Sequence, residues 1–594
     1  MSRSASVAAV VVFVLLGATL LPLAPLGVGS APIIRMSVTT DKYVYPLTGE
    51  LEVTVSVTNL EAQPLVGLSI NTTVYDSASN AVLGLPAIVG VEIAALSTTN
   101  FNVSSAYSLA DANYVIVSDA AVGGTRVGSA NVPLVVLNTV GRAPLTLAMV
   151  FHMHQPIYLN LQGQFEQPWV QVHSGGDFEY NGTWYGAYYW HVLMLKNHPS
   201  IRVTFNLQPS LLYQWNASMR SFSYNGTYEP FPTGETTLAH DLSGVNASVA
   251  GYRELAQSGQ AEILTSPFYH PLSAILVRLG WSDDLLAQIE LGKNYTDSYM
   301  GVNATGMWTP EMGFTMGMVP IMQEAGIGYT VLDQANHFAG AMGPSANSSI
   351  FQPFELDGAN GTHIDVFFRD TQISNELTST WNDIPNPKVA ASDFIAAVAD
   401  VYRSSPGGVL TLASDGENPL ISDGVISALD WNAIYGAIAS QGWLQTSTLG
   451  SILSSRPVTA KLTSVPDGSW SGGFGLWIGT QPKTAIWQAI EKDRAILVNL
   501  TARYGADNPE IKKLWNYLYV AEGSDWEWQT PQGPAWFAMQ GYRYAYAATQ
   551  FQAPPNVYQG TATSPSQYST YAVAIGGVVV LAAMCLFLAR RRRP

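Results

Sequence analysis

The chain has one cysteine, Cys585, and so can form no intramolecular disulfide. Such scarcity usually marks a reducing compartment. Charge is scarce as well: Asp, Glu, Lys and Arg make up 12% of the 594 residues, about half the usual share. The formal net charge is −16, and no basic stripe is present to neutralise phosphates, which excludes a nucleic-acid partner. Long apolar runs are missing except at the two ends. What remains is a body rich in Ser, Thr, Asn, Gly, Tyr and Trp, too long for one ordinary core, so two or three domains are expected.

The two ends overrule the cysteine argument. Ser2-Arg3 precedes the apolar run Val7 to Leu23, and small residues Gly29 and Ala31 follow it. Residues 1–31 therefore read as a signal peptide, with an uncleaved anchor as the alternative. Tyr571 to Ala589 carries no charge and is long enough to cross a bilayer. Arg590 to Arg593 come next, and the positive-inside rule keeps residues 590–594 cytoplasmic. The expectation is a cell-surface protein, anchored by a transmembrane helix over 571–589 with its bulk outside. Residues 553–570, rich in Pro, Ser, Thr and Gln, read as a flexible linker.

Between the ends the rhythm changes twice. Residues 32–141 show period-2 alternation broken by turn residues, as in Leu51-Glu52-Val53-Thr54-Val55-Ser56-Val57, which predicts a β-sandwich. From 142 to 480, strand-like runs alternate with amphipathic helical ones. Seven or eight β-α units imply a parallel sheet and suggest a closed barrel, so the fold class is α/β. Residues 481–552 carry apolar positions at helical spacing and predict a helical bundle completing the cleft.

Polar residues collect just past the predicted strand ends. His152-Met153-His154-Gln155-Pro156 follows the first barrel strand, and Thr265 to His270 follows another. Then come Trp308-Thr309-Pro310-Glu311, Asp333, Arg369-Asp370 and Asp415-Gly416-Glu417. In a barrel these line one rim. Two carboxylates flanking one bond are what glycoside hydrolysis requires, with aromatics for sugar stacking and His or Arg for hydroxyl groups. His152 and His154 could also chelate a metal, but no third ligand sits at metal spacing nearby in the sequence.

Five short stretches, in order, resemble glycoside hydrolase family 57. They are His154-Gln155-Pro156; Gly259-Gln260-Ala261-Glu262 with Tyr269-His270-Pro271; Trp308-Thr309-Pro310-Glu311; Asp415-Gly416-Glu417-Asn418-Pro419; and Ala521-Glu522-Gly523-Ser524-Asp525-Trp526. The resemblance spans about residues 145 to 550. It implies a (β/α)7 barrel and a retaining mechanism on α-glucans such as starch, glycogen or pullulan, with no metal or other cofactor in the chemistry. Carried over, Glu311 is the nucleophile, Asp415 the general acid/base, and His154, His270 and Asp525 are subsite residues. His152, Glu262, Trp308, Asp333, Arg369, Asp370, Glu417 and Trp526 complete the expected substrate contacts. The sequence leaves open hydrolysis against transfer to a glucan acceptor, and a glycan-binding protein that has lost activity.

Overall fold

The computed structural model describes residues 33–228, 236–381, 383–528, 530 and 535–552. Its centre is a strand, β1 (Leu145–Met153), buried along its whole length. A strand covered on both faces reads as a continuous apolar run, and this one does. Ala148 and Val150 point inward to a cluster with Leu264, Val331, Phe367 and Ala413. Leu147, Met149 and Phe151 point outward into the core beneath the helices.

Six more parallel strands follow: β2 (Val203–Leu207), β3 (Ala261–Leu264), β4 (Gly306–Met307), β5 (Tyr329–Asp333), β6 (His363–Arg369) and β7 (Val409–Asp415). The hydrogen-bonded order is β3-β2-β1-β7-β6-β5-β4. Thr265 and Met307 pair across the remaining gap, with Thr265 N–H donating to Gly306 O at 3.1 Å and Trp308 N–H to Thr265 O at 2.9 Å. The strands thereby close into a barrel in chain order, most connections crossing over through α-helices such as Pro209–Arg220, Ser282–Met300 and Pro387–Ser404. The register sets His152 beside Asp415 and Asp333 beside Arg369. Because side chains alternate with period 2, the inward phase of Ala148 and Val150 carries on to His152, and that of Val409 and Ala413 to Asp415.

Ahead of the barrel, Ile34–Thr40, Thr48–Asn59 and Thr98–Ser108 form one antiparallel sheet, packed on a second of six strands. Thr48–Asn59 buries alternate residues, Val53, Val55 and Val57 among them, against Ile70, Val74 and Ile116. Arg403, on the helix Pro387–Ser404, ties this unit to the barrel. It donates to Asp111 Oδ1 at 2.8 Å, Asn113 Oδ1 at 3.0 Å and Val136 O at 2.9 Å. After the barrel come the helices Gln481–Tyr504, Pro509–Ala521, Asp525–Trp528 and Ala535–Ala547. Pro509 stands in the first turn of its helix, where its missing N–H costs nothing, and Asn508 caps it by accepting from Glu510 N–H at 2.9 Å.

The transmembrane part of the expected fold, and the cell-surface location that depended on it, are corrected here. Among the described residues no helix is long and apolar enough to cross a membrane. Residues 571–589, on which the expectation rested, lie outside the described residues, as do the expected signal peptide, linker and tail. Apolar length in a sequence is a capacity for spanning, and here no described helix realises it.

Candidate active site

The mouth of the barrel is built from strand ends and from two segments that reach over it. Past β4, Pro310–Met312 makes a single tight turn in which Glu311 has φ +60° and Met312 φ +48°. Left-handed backbone at a non-glycine residue is costly and persists only where surroundings enforce it. The enforcing segment is the loop around Trp470. Its backbone N–H donates to Glu311 O at 3.1 Å, its carbonyl accepts from Asn336 Nδ2 at 2.8 Å, and Gly468 pairs with Phe314. The Trp470 indole N–H donates to Glu311 Oε2 at 2.9 Å, and the Ser524 hydroxyl contacts Oε1 at 3.2 Å. Burial raises the Glu311 carboxyl to about 7; the Trp470 bond opposes this, while the charges of Asp415 and Asp525 add to it.

Three histidines line the floor. His152 Nδ1 bonds Asn206 Oδ1 at 2.7 Å, and its Nε2 meets His270 Nε2 at 3.1 Å. His270, itself at φ +58°, bonds Ser524 Oγ through Nδ1 at 2.9 Å. His154 Nε2 bonds both oxygens of Asp525, at 2.9 and 3.1 Å. Trp308 is buried and stacks on His152 with centroids 4.9 Å apart and planes 9° apart. Burial holds His152 down at about 3 and His270 well below the usual imidazole range.

The donor nitrogens of these histidines fall within 4.8 Å of one another. Their rings, however, do not fit a metal cage. His154 lies flat on His270, with centroids 3.9 Å apart and planes 16° apart. In-plane lone pairs of stacked rings cannot converge on one ion at the ~2.0–2.1 Å that imidazole ligation requires.

Asp415, at the tip of β7, opens to the cleft and accepts from Asn418 Nδ2 at 2.8 Å. Glu417 is buried, and its Oε1 accepts from His154 N–H at 3.0 Å while Oε2 has no partner among the described residues. Desolvation by the surrounding cleft raises both carboxyls, and the charge of Asp415 raises Glu417 further. This is an acid pair in which one group keeps a proton readily.

Other expected contacts are placed elsewhere or are saturated. Asp333 is fully buried, accepting from Arg369 Nε at 2.8 Å, Thr371 Oγ1 at 3.0 Å and Asn336 N–H at 3.0 Å. Arg369 also donates to Ala413 O at 3.0 Å. The two form a wall of the site, with no lone pair of Asp333 left for sugar. Asp370 caps the helix Thr371–Ser379, accepting from Ile373 N–H at 2.9 Å. Glu262 points inward near the start of β3, at the opposite end of the barrel, where Tyr329, Thr204 and Gly450 donate to it. Trp526 is core, with its indole N–H on Val520 O at 2.6 Å. Asp333 and Arg369 share the inward phase of Val331 and Phe367 on their strands, but phase does not say which acids are already hydrogen-bonded.

From the sequence, Trp470 and Trp528 carry no site role, and Ser524 only a place in the fifth stretch. Trp470 is 38% exposed and meets Trp528 edge-on at 6.1 Å between centroids. Its one signal was an aromatic set in the glycine-flanked run Gly468-Ser469-Trp470-Ser471-Gly472-Gly473.

Residues 148–423 match glycosyl hydrolase family 57. The chain is 26% identical over 193 residues to a 4-alpha-glucanotransferase of Thermococcus litoralis, covering 32% of this chain and 25% of that protein. It is 33% identical over 193 residues to an alpha-amylase of Pyrococcus abyssi, again 32% and 25%. The matched stretch thus spans about a quarter of these relatives. Among solved structures, a GH57 branching enzyme of Thermococcus kodakaraensis aligns with TM-score 0.50 and 16% identity, covering 68% of this chain and 88% of that one. The alpha-amylase AmyC of Thermotoga maritima aligns with TM-score 0.50 and 12% identity, covering 68% and 92%; at such identities these likenesses speak to fold alone. The match takes in the barrel strands and both candidate acids, so residues 148–423 form a glycosyl hydrolase family 57 domain.

Proposed function

We propose that this enzyme cleaves α-1,4-glucosidic bonds of a starch- or glycogen-like glucan with retention, using Glu311 as nucleophile and Asp415 as general acid and base. The observation that carries the reading is the pinning of Glu311. Its backbone is strained, and each carboxylate oxygen is held by a separate side chain, Trp470 on one and Ser524 on the other. A carboxyl fixed in this way has one face left for an anomeric carbon, which is the orientation a near-attack geometry demands.

The steps follow from the residues. Ionised Glu311 attacks the anomeric carbon while Asp415 gives its proton to the departing oxygen, leaving a glycosyl ester. Asp415, now ionised, takes a proton from water as that water attacks the ester, and two inversions give retention. Desolvation in the cleft lifts the Asp415 carboxyl, which suits a group that must hold a proton before it gives it away. The exposed Trp470 face, beside Trp528, supplies an apolar surface of the kind on which sugar rings stack. Occupied by a second glucan, that surface favours transfer over hydrolysis, the activity for which the 4-alpha-glucanotransferase relative is named. Whether α-1,6 bonds are also cut is part of the same test.

The test is incubation of the protein with amylose, pullulan and maltoheptaose, with products resolved by chromatography and Glu311→Gln as control. New reducing ends that vanish in the variant support the glycosidase, and pullulan fragments identify the bond cut. Longer oligomers without new reducing ends assign it as a transferase. Absence of turnover on every α-glucan overturns the substrate assignment.

A further inference from the structure

The polar atoms beneath Glu311 form one chain: Glu311 Oε1, Ser524 Oγ, His270 Nδ1, His270 Nε2, His152 Nε2, His152 Nδ1 and Asn206 Oδ1. The links are 3.2, 2.9, 3.1 and 2.7 Å. Counting protons along it is informative, because each hydroxyl has one and each neutral imidazole has one. Asn206 spends its Nδ2 hydrogens on the carbonyls of Leu264 and Thr265, so its Oδ1 accepts and His152 Nδ1 carries hydrogen. His152 Nε2 then bears a lone pair, and His270 must donate to it from Nε2. A neutral His270 therefore has a bare Nδ1, which takes the only proton of Ser524. Under that arrangement Ser524 has nothing to give Glu311, and the carboxyl must itself be protonated to keep the 3.2 Å bond.

Ionising Glu311 reverses the chain. The Ser524 hydroxyl turns to donate to the carboxylate, and His270 Nδ1 must then carry a proton too. If it does not, either the bond to Ser524 or the bond to His152 is lost, with two lone pairs opposed at 3.1 Å in the latter case. The three side chains are buried, so water cannot make good the missing partner, and an unmet polar group there is expensive.

We propose that Ser524 and the His270–His152 pair are positioning residues that hand one proton to and fro with Glu311: the proton leaves Glu311 Oε1 for Ser524 Oγ as the Ser524 proton passes to His270 Nδ1, giving carboxylate and imidazolium together. Atoms and charge balance, with no exchange with solvent. The proposal rests on the reading of Glu311 as the nucleophile. It gives the closed, substrate-filled cleft a way to ionise that group after water has been excluded. Burial alone would keep His270 neutral; the carboxylate, 4.0 Å from His270 Nδ1, offsets that cost. The other groups facing the chain are His154, stacked on His270, bonded to Asp525 and, with His152, pulling His270 further down, and Asp415, whose charge raises Glu311. Glu417 lies one hydrogen bond away, on the backbone of His154.

The test combines a spectroscopic readout with a kinetic one. In the whole protein labelled with ¹⁵N-histidine, the wild-type His270 ring shows both nitrogens protonated over part of the range pH 5 to 8. Glu311→Gln and Ser524→Ala both abolish that signature, while Ser524→Thr keeps it. In kcat/KM against pH, Ser524→Ala moves the acid limb up by about one unit, so that activity on the low-pH side falls about tenfold more than at pH 8, and Ser524→Thr restores the limb. A His270 that stays neutral throughout, or a signature unchanged by Ser524→Ala, overturns the relay, as does a loss of activity equal at every pH. Should no α-glucan be turned over, the nucleophile reading falls and the histidine spectra still decide the relay.

Discussion

Glu262 and Glu311 sit on neighbouring segments of one barrel, at its opposite ends, and they differ in almost everything but chemistry. Glu262 is surrounded by donors: Tyr329 and Gly450 to Oε1, Thr204 to Oε2. It joins β2, β3 and β5 and the chain at Gly450 into one closed end. Glu311 has one bond to each oxygen, a strained backbone, an open face and a carboxyl lifted to about 7 by burial. The first acid is spent on holding strands together. The second is held but not satisfied, and an under-satisfied acid in a dry site is one that can react. The same contrast separates Asp333, saturated by Arg369, Thr371 and Asn336, from Glu417, with one oxygen unpartnered among the described residues.

Five outcomes break or sharpen this contrast. Glu311→Gln is expected to lower kcat/KM by at least ~10⁴-fold, measured by reducing-end release, while the protein stays folded by circular dichroism. Asp415→Asn is expected to cost about 10²–10⁴-fold, and substrates with good leaving groups, which need no proton, recover most of the loss. Trp470→Phe keeps an aromatic face but removes the donor to Glu311 Oε2. About a tenfold fall in kcat, growing as pH is lowered, is expected, and an unchanged acid limb would show that the indole serves only as a platform.

The fourth outcome concerns pH. Glu311 ordinarily ionises near 4.5 and in the fold near 7, so the folded state binds more protons between those values. Its stabilising contribution is full below the ordinary value and is lost as pH rises through about 7. Glu311→Gln lacks this loss. The variant's melting temperature, compared with wild type, should therefore rise from pH 5 to pH 8, by the equivalent of ~3 kcal/mol at most; a difference constant with pH would contradict the burial argument. Activity has the opposite sign, since kcat/KM climbs through the same interval as the nucleophile ionises. Last, Glu262→Gln should cost about 1–3 kcal/mol in chemical unfolding and leave kcat/KM per folded molecule within about threefold. A large catalytic effect there would erase the distinction between the two ends.

The sequence alone carried the alternation of strands and helices, the period-2 pattern of residues 32–141, the order of five motifs and the acids at the strand tips. Each of these is local, set by period and by residue type, and so is written in neighbouring letters. What it could not carry was hydrogen-bond saturation. Glu262 and Trp526 read as site residues because they stand in motifs, and Asp370 because it follows a strand end, yet their partners, Tyr329, Val520 O and Ile373 N–H, assign them to the frame. Trp470 carried no motif and Ser524 no role of its own, and the fold sets them on the two oxygens of one carboxylate, 159 and 213 residues away in the chain. Residue type and spacing determine which chemistry a segment can offer. Only tertiary contact decides which polar atoms remain unpaired, because a buried group's reactivity depends on partners that burial brings from anywhere in the chain.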